Sequence, residues 1–489
     1  MDTSLSQSMQ APLSRSLATN VSRLKRIIPL DKSFDLIFSE LKIGENKCFF
    51  AGLNGYIEED ILQRIFRDLK DPIDTTDRQS VLTYLYDNVG YASVSIYPDF
   101  ETLITSMLSG TALLLLDGFD EGIILDIRSY PSRSIAEPDT EQVTRGAKDG
   151  FTEIMLTNAN LIRRRIRAAD LTFEAMHIGS ISKTEVSIGY LGGNVDEEFL
   201  ALIRRKLQML RVSSLTMGTK SLEELLLKKS FFHPLPSMFT TERPDVACSY
   251  LMEGHILLLV DNAPSVIVLP TSLFQFTQHP DDYYNSPIVG NYFRLVRFLC
   301  MVVSVHLLPT FLLLTTVFQD FSEQFQLLST QDLSKPRIVF YVLAVEFLLD
   351  LFKYSSSHSS GRFSGSLSIV GGLIIGDVAV QLNWASTEIL FYAAITLLTT
   401  LSLANLEFGE GLRIYRMFLI LMTAAFGLWG YIIGEILMIV SIGTTPTLGK
   451  KSYLWPLLPF EWAELKKLLF RYPTAKSQPS KNIKKRDAN

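Results

Sequence analysis

From Phe298 to Phe318 the chain runs FLCMVVSVHLLPTFLLLTTVF without an Asp, Glu, Lys or Arg. As a helix rising about 1.5 Å per residue, this run reaches about 31 Å, the thickness of a hydrocarbon core, and predicts a membrane crossing. Arg294 and Arg297 stand directly before it and place its amino end on the cytoplasmic side, because positive flanks stay inside. Most charged residues fall before Arg297, although only 20% of the 489 residues are charged and 47% are hydrophobic. The expected fold is an α+β soluble half, built of duplicated α/β subdomains, followed by an all-α transmembrane helix bundle.

Within a transmembrane domain of residues 291–445, further spans are expected at 367–382, 389–403 and 417–442. The last carries Gly427, Gly430 and Gly434, small residues that permit close helix contact. A stretch at 338–352 is apolar but brief and contains Glu346 and Asp350, which predicts a short or re-entrant helix. The tail 446–489 is rich in Lys and Arg and is expected in the cytosol. Within it, Trp455, Phe460, Trp462 and Phe470 alternate with Lys466 and Lys467 as in an interfacial helix. Two cytoplasmic ends require an even number of crossings, hence four; Arg413 and Arg416 then fall outside, against the positive-inside rule, which keeps five open. Glu346, Asp350, Asp377 and Glu435 lie at membrane depth, where a carboxylate is costly unless it faces protein, water or an ion. Ringed across an oligomer they would line a cation pathway; taken singly, each can be an interhelical hydrogen bond.

Residues 1–30 are rich in Ser and Gln near their start, lack the apolar core of a signal peptide, and are expected to be disordered. Two α/β units follow, at 31–140 and 141–290. CFFAGLNGYIEEDILQRIFRDL from Cys48 and VSIGYLGGNVDEEFLALIRRKL from Val186 align without a gap as strand, turn and helix. Pro98 and Pro244 each open a Pro-Asp, helix, Gly, apolar-run pattern in which Gly110 and Asp117 correspond to Gly254 and Asp261. By that correspondence His255 to Pro270 is two short strands around a turn at Asp261, although its hydropathy resembles a membrane span. Between the units, Arg163, Arg164, Arg165 and Arg167 form a basic cluster. Arg163, Arg164 and Arg165 are candidate contacts for a phosphate or anionic headgroup, the alternative being a solvated face paired with Glu137, Asp139 and Glu141.

A net charge of −5 gives no case for nucleic acid as a partner. Cys48, Cys248 and Cys300 lack disulfide or zinc spacing, and no P-loop, HExxH, GxSxG or dinucleotide fingerprint occurs. No catalytic residue, cofactor or metal site is therefore expected.

The strings RSIAEPDTEQVTRGAKDGFTEIMLTNANLIRRRIR from Arg133, TERPDVA from Thr241, EGHILLLVDNAPSVIVLPT from Glu253 and LSIVGGLIIGDVAV from Leu367 closely resemble the spore germination receptor A-subunit family of endospore-forming bacteria. The resemblance covers about Phe34 to Phe470. It implies a multi-pass protein of the spore inner membrane, with its amino-terminal domain and tail facing the spore core. It further implies a homo-oligomer, a pentamer by analogy, that conducts monovalent cations alongside other germination membrane proteins; a non-conducting scaffold is the alternative. Where the family's typical A subunit has Gly-Gln-Ala-Ala-Val, this chain has Gly376-Asp377-Val378-Ala379-Val380, which weakens the case for direct nutrient sensing.

Overall fold

The computed structural model describes residues 12–43, 46–68, 93–128, 138, 141–227, 232–318, 334–358, 386–449 and 452–470. The chain divides into two compact units: one contains both sheets, up to Pro270, and the other runs from Thr271 through the helices and includes residues 229–237. The second α/β subdomain therefore stops some twenty residues short of the expected boundary at 290.

In the first unit, α1 (Leu17–Ile27), β1 (Leu36–Ile43), β2 (Asn46–Leu53), α2 (Glu59–Asp68), β3 (Ser93–Tyr97), α3 (Phe100–Leu108), β4 (Ala112–Leu116) and β5 (Gly122–Asp126) make the first copy. The second comprises α4 (Met155–Arg165), β6 (Leu171–Ile178), β7 (Thr184–Leu191), α5 (Glu197–Gln208), α6 (Gly218–Leu226), β8 (Phe239–Thr241), α7 (Pro244–Met252), β9 (Ile256–Val260) and β10 (Val266–Leu269). Each copy forms a five-stranded antiparallel sheet, in the orders β1-β2-β4-β5-β3 and β6-β7-β9-β10-β8. The duplication is thus one of topology as well as of sequence. β9 and β10 are wholly buried strands, which is why their run reads like a membrane span.

Residues 17–30 correct the expectation of disorder. Leu17, Leu24, Ile27, Ile28 and Leu30 are buried in the core of the first copy with Phe49, Phe100, Leu103 and Met107. Their helical spacing was hidden by the Ser- and Gln-rich composition around them. α1 is moreover the twin of α4, and each is held by the same devices. The carboxamide of Asn20 accepts from Ser14 N (2.9 Å) and donates to Ser14 O (2.6 Å), and that of Asn158 does the same with Thr152 (2.7 and 2.6 Å). The first amide of each helix donates to a carboxylate in the β-hairpin turn of its own copy, Leu17 N to Asp117 (2.9 Å) and Met155 N to Asp261 (3.4 Å). An anion at the positive end of a helix is the favourable placement.

In the second unit, α8 (Asp281–Tyr284) leads into α9 (Pro287–Thr316), followed by α10 (Lys335–His358), α11 (Thr387–Leu401), α12 (Leu406–Gly443) and α13 (Trp462–Leu469). Among the described residues, α9 and α12 are long and apolar enough to cross a membrane, and α11 is apolar but shorter. The helix expected at 338–352 is longer than its apolar run, because its charged turns find partners. The span expected at 367–382, with Asp377, lies outside the described residues.

The span expected at 417–442 is not one straight helix. Gly427 has φ 58° and ψ −133°, and the chain reverses there. Tyr415 and Ser441 share a hydrogen bond of 2.7 Å between their hydroxyls, whereas 26 residues of straight helix would set them about 39 Å apart. A Cβ on Gly434 would stand 2.8 Å from Leu419, and one on Gly430 would collide with the Met422 carbonyl. Gly430 and Gly434 do allow close helix contact, but between two arms of one hairpin, 406–426 and 428–443, and Gly427 makes the turn between them.

Candidate functional site

The charged residues of the helical unit converge on one seam. α10 presents Glu346, Asp350 and Lys353 at i, i+4 and i+7, while the first arm of α12 presents Glu410, Arg413 and Arg416 at i, i+3 and i+6, so each set lines one helix face. The helices run antiparallel and the sets meet rung by rung. Arg416 grips Glu346 with two bonds of 3.0 Å, Arg413 reaches Asp350 at 2.8 Å and Glu410 at 2.7 Å, and Lys353 pairs with Glu410. Three carboxylates face three cations, so the ladder is neutral. Burial deepens along it: the Glu346 and Arg416 side chains are 0% and 4% exposed, and the outer rungs are part-exposed.

Arg416 also donates to the Ser304 carbonyl (2.7 Å) and to Thr400 Oγ1 (3.3 Å), which ties α9 and α11 to the ladder. Around it, Leu308, Phe311, Leu312, Ile338, Val342, Val345, Ile389, Ala393 and Ile420 make an apolar core in which an unpaired charge would be costly. Glu435 stands apart on the second arm, its Oε1 2.8 Å from His306 Nδ1 on α9; one turn away Thr310 and Tyr431 share a hydrogen bond of 3.2 Å.

Of the four expected pathway acids, then, Glu346, Asp350 and Glu435 each face a base, and Asp377 lies outside the described residues. Glu410 was missed, and Arg413 and Arg416 were read as topological anomalies. The signal was present in the matching periodicity of 346/350/353 and 410/413/416, but the register between two distant helices is a tertiary fact.

The arginine cluster disperses because consecutive helical residues point about 100° apart. Arg163 is wholly buried. It bonds Asp35 (2.8 Å) in the first copy and the carbonyls of Ala168 and Leu171, so its expected role as an anion contact gives way to one of joining the two copies. Ser33 completes that joint, donating to Asp35 (2.5 Å) and accepting from Phe173 N (2.8 Å). Arg165 makes a bidentate pair with Asp149 (2.6 and 2.7 Å), and Arg164 is exposed. Among the described residues the partners of Arg163 and Arg165 are thus Asp35 and Asp149; the expected partners Glu137 and Asp139 lie outside the described residues. Glu141 instead accepts from the Thr241 hydroxyl (2.6 Å) and Glu242 N (2.9 Å), and burial pushes its carboxyl up to about 7 against those two bonds. Burial likewise pushes the Cys48 and Cys248 thiols up to about 12.

A duplicated α+β unit joined to a helical bundle with apolar spans and an internal charge ladder defines a membrane-associated protein with paired charges inside its helices. The chain belongs to the Bacillus/Clostridium GerA spore germination protein family, whose model matches residues 23–483. It is 29% identical over 469 residues to stage V sporulation protein AF of Bacillus subtilis (strain 168), covering 95% of each chain. It is also 29% identical to spore germination protein KA of that strain over 94% of this chain and 85% of the relative, and 25% identical to spore germination protein B1 over 95% and 97%. The N-terminal domain of the A subunit of the Bacillus megaterium spore germinant receptor GerK3 is 26% identical, with 53% of this chain and 96% of that domain covered at a TM-score of 0.41. The resemblance read from the sequence strings is therefore family membership, and the chain is a membrane-associated protein of spore germination.

Proposed function

We propose that this chain is a subunit of a homo-oligomeric, cation-conducting assembly of the spore inner membrane that releases or amplifies ion flow during germination. Other germination membrane proteins would be its partners and monovalent cations its cargo. The observation that carries the reading is the ladder: three acids and three bases on facing helices, its Glu346–Arg416 rung buried in an apolar core where hydrophobic residues would replace the pair at no loss if only packing were required. In the paired state the acids are neutralised and offer a cation nothing. Conduction requires that α10 move against the first arm of α12 and free Glu346 and Asp350 to face water, with Asp377 a further candidate for the path. A pentamer is the working stoichiometry.

The completeness of the pairing favours a second reading, in which the ladder rigidifies a non-conducting scaffold. Potassium efflux from liposomes holding the purified protein, with and without co-expressed membrane partners, separates the two. The channel reading expects efflux that Glu346→Met with Arg416→Met changes at least several-fold while leaving the oligomer intact. No efflux under any condition from folded oligomer would leave the scaffold.

A further inference from the structure

Contacts along α9 give α11 and both arms of α12 a direction, and the ladder extends it to α10. Ser304 lies level with Arg416 and Thr400, Phe311 with Tyr392 (ring centroids 4.8 Å apart), Thr310 with Tyr431, and His306 with Glu435. At the far end, a Cβ on Gly427 would touch Val317, just past the end of α9. From these levels α11 runs antiparallel to α9, the first arm of α12 runs parallel to it and the second arm returns; α10, antiparallel to the first arm through Glu346–Arg416 and Asp350–Arg413, is antiparallel to α9 as well. Gly427, at the hairpin tip, is level with the carboxyl end of α9, and both feet of the hairpin, Asn405 and Thr444, are level with its amino half.

We infer that α12 enters the bilayer from the face where α9 begins and returns to it, so that it contributes no net crossing and exposes its tip toward the opposite face. The inference rests on the reading of this unit as membrane-spanning and deepens it. The first arm reaches about 31 Å and the second about 24 Å, so the feet lie on one face at either depth of the tip. The side chains the second arm leaves outward, among them Trp429, Ile433, Ile436, Leu437 and Ile439, are apolar, as acyl chains require.

Arg413 and Arg416 fall in the leaflet on the side of Arg294 and Arg297, and the apparent breach of the positive-inside rule disappears.

The test is labelling of full-length protein in sealed membrane vesicles with a membrane-impermeant maleimide, with single cysteines introduced as Asn285→Cys, Asn405→Cys, Thr444→Cys and Leu428→Cys. The native Cys48, Cys248 and Cys300 are buried and supply the unlabelled background. Positions 285, 405 and 444 are expected to label from one face, and 428 from the other face or from neither. Labelling of 405 and 444 from opposite faces would overturn the hairpin while leaving the membrane reading intact. Extraction of the protein by alkaline carbonate, with all four positions accessible at once, would remove both. As a check within one polypeptide, Leu419→Cys with Gly434→Cys should be bridged by a short bifunctional maleimide, read by mass spectrometry of the intact monomer. A straight α12 would separate them by about 22 Å and leave them unbridged.

Discussion

Arg163 in the α+β unit and Arg416 in the helical unit are both large cations buried almost completely, and both are held by a carboxylate far away in sequence, Asp35 and Glu346 respectively. They differ in what else they hold. Arg163 satisfies the carbonyls of Ala168 and Leu171, and its carboxylate is in turn bonded by Ser33, so the pair is one knot in a backbone network that joins two sheets. Arg416 is gripped through both carboxylate oxygens, holds one carbonyl, that of Ser304, and belongs to a rung in a series whose neighbours are themselves ion pairs. The first arrangement fixes one geometry, whereas the second has several similar rungs about a helical turn apart and so a shorter path to an altered register. A buried ion pair is weak evidence for stability in either place, and the contrast lies in what its removal leaves behind.

The sharpest way to break this contrast is to remove one partner at each site. Glu346→Gln and Asp35→Asn should each cost about 3–5 kcal/mol, because each strands a buried guanidinium, and thermal unfolding in detergent measures both. The double substitutions separate them. Glu346→Met with Arg416→Met should recover most of its loss, while Asp35→Met with Arg163→Met should recover less, since it takes a donor from two interior carbonyls and an acceptor from Ser33, against the one carbonyl that Arg416 holds. Equal recovery would show that the surroundings of the two arginines make no difference.

Smaller effects test the equivalence of the two copies. Asn20→Ala and Asn158→Ala should each cost about 1–3 kcal/mol, because each leaves a loop amide and carbonyl unpaired at a buried site, and amide exchange over residues 14–24 and 152–162 should report losses of similar size. Asp117→Asn and Asp261→Asn should cost about 1 kcal/mol, the former more, since the Leu17 bond is 2.9 Å and the Met155 bond 3.4 Å. A larger loss at Asp261 would mean that α4 depends on its hairpin in a way that α1 does not.

The smallest effect is on pH dependence. The Glu141 carboxyl titrates at about 7 in the folded chain against an ordinary value of 4.5. The folded state therefore binds the extra proton between those values, and stability attributable to this group falls as pH rises from about 4.5 to about 7. Glu141→Gln, which keeps a carbonyl for Thr241 and Glu242, should flatten that part of the profile as followed by unfolding at a series of pH values. An unchanged slope would assign the dependence to other groups.

The repeated strings around Cys48 and Val186, and around Pro98 and Pro244, carried the paired sheets, because strand, turn and helix patterns are local and a duplication shows them twice. The apolar run from Phe298 and the germination-family strings likewise belonged to the sequence alone. α1 was legible in principle from Leu17, Leu24 and Ile27, and was masked only by composition.

The rest required the folded chain. The reversal at Gly427 is invisible in an apolar run, since glycine suits both a tightly packed helix and a positive-φ turn, and only the neighbours of Gly430 and Gly434 distinguish the two. The pairing of Glu346 with Arg416 and of Asp35 with Arg163 spans 70 and 128 residues of chain. Sequence determines that such charges must be neutralised once buried, because a bare charge in an apolar interior is too costly. Which partner does so depends on the register between helices and sheets, which long-range packing alone decides.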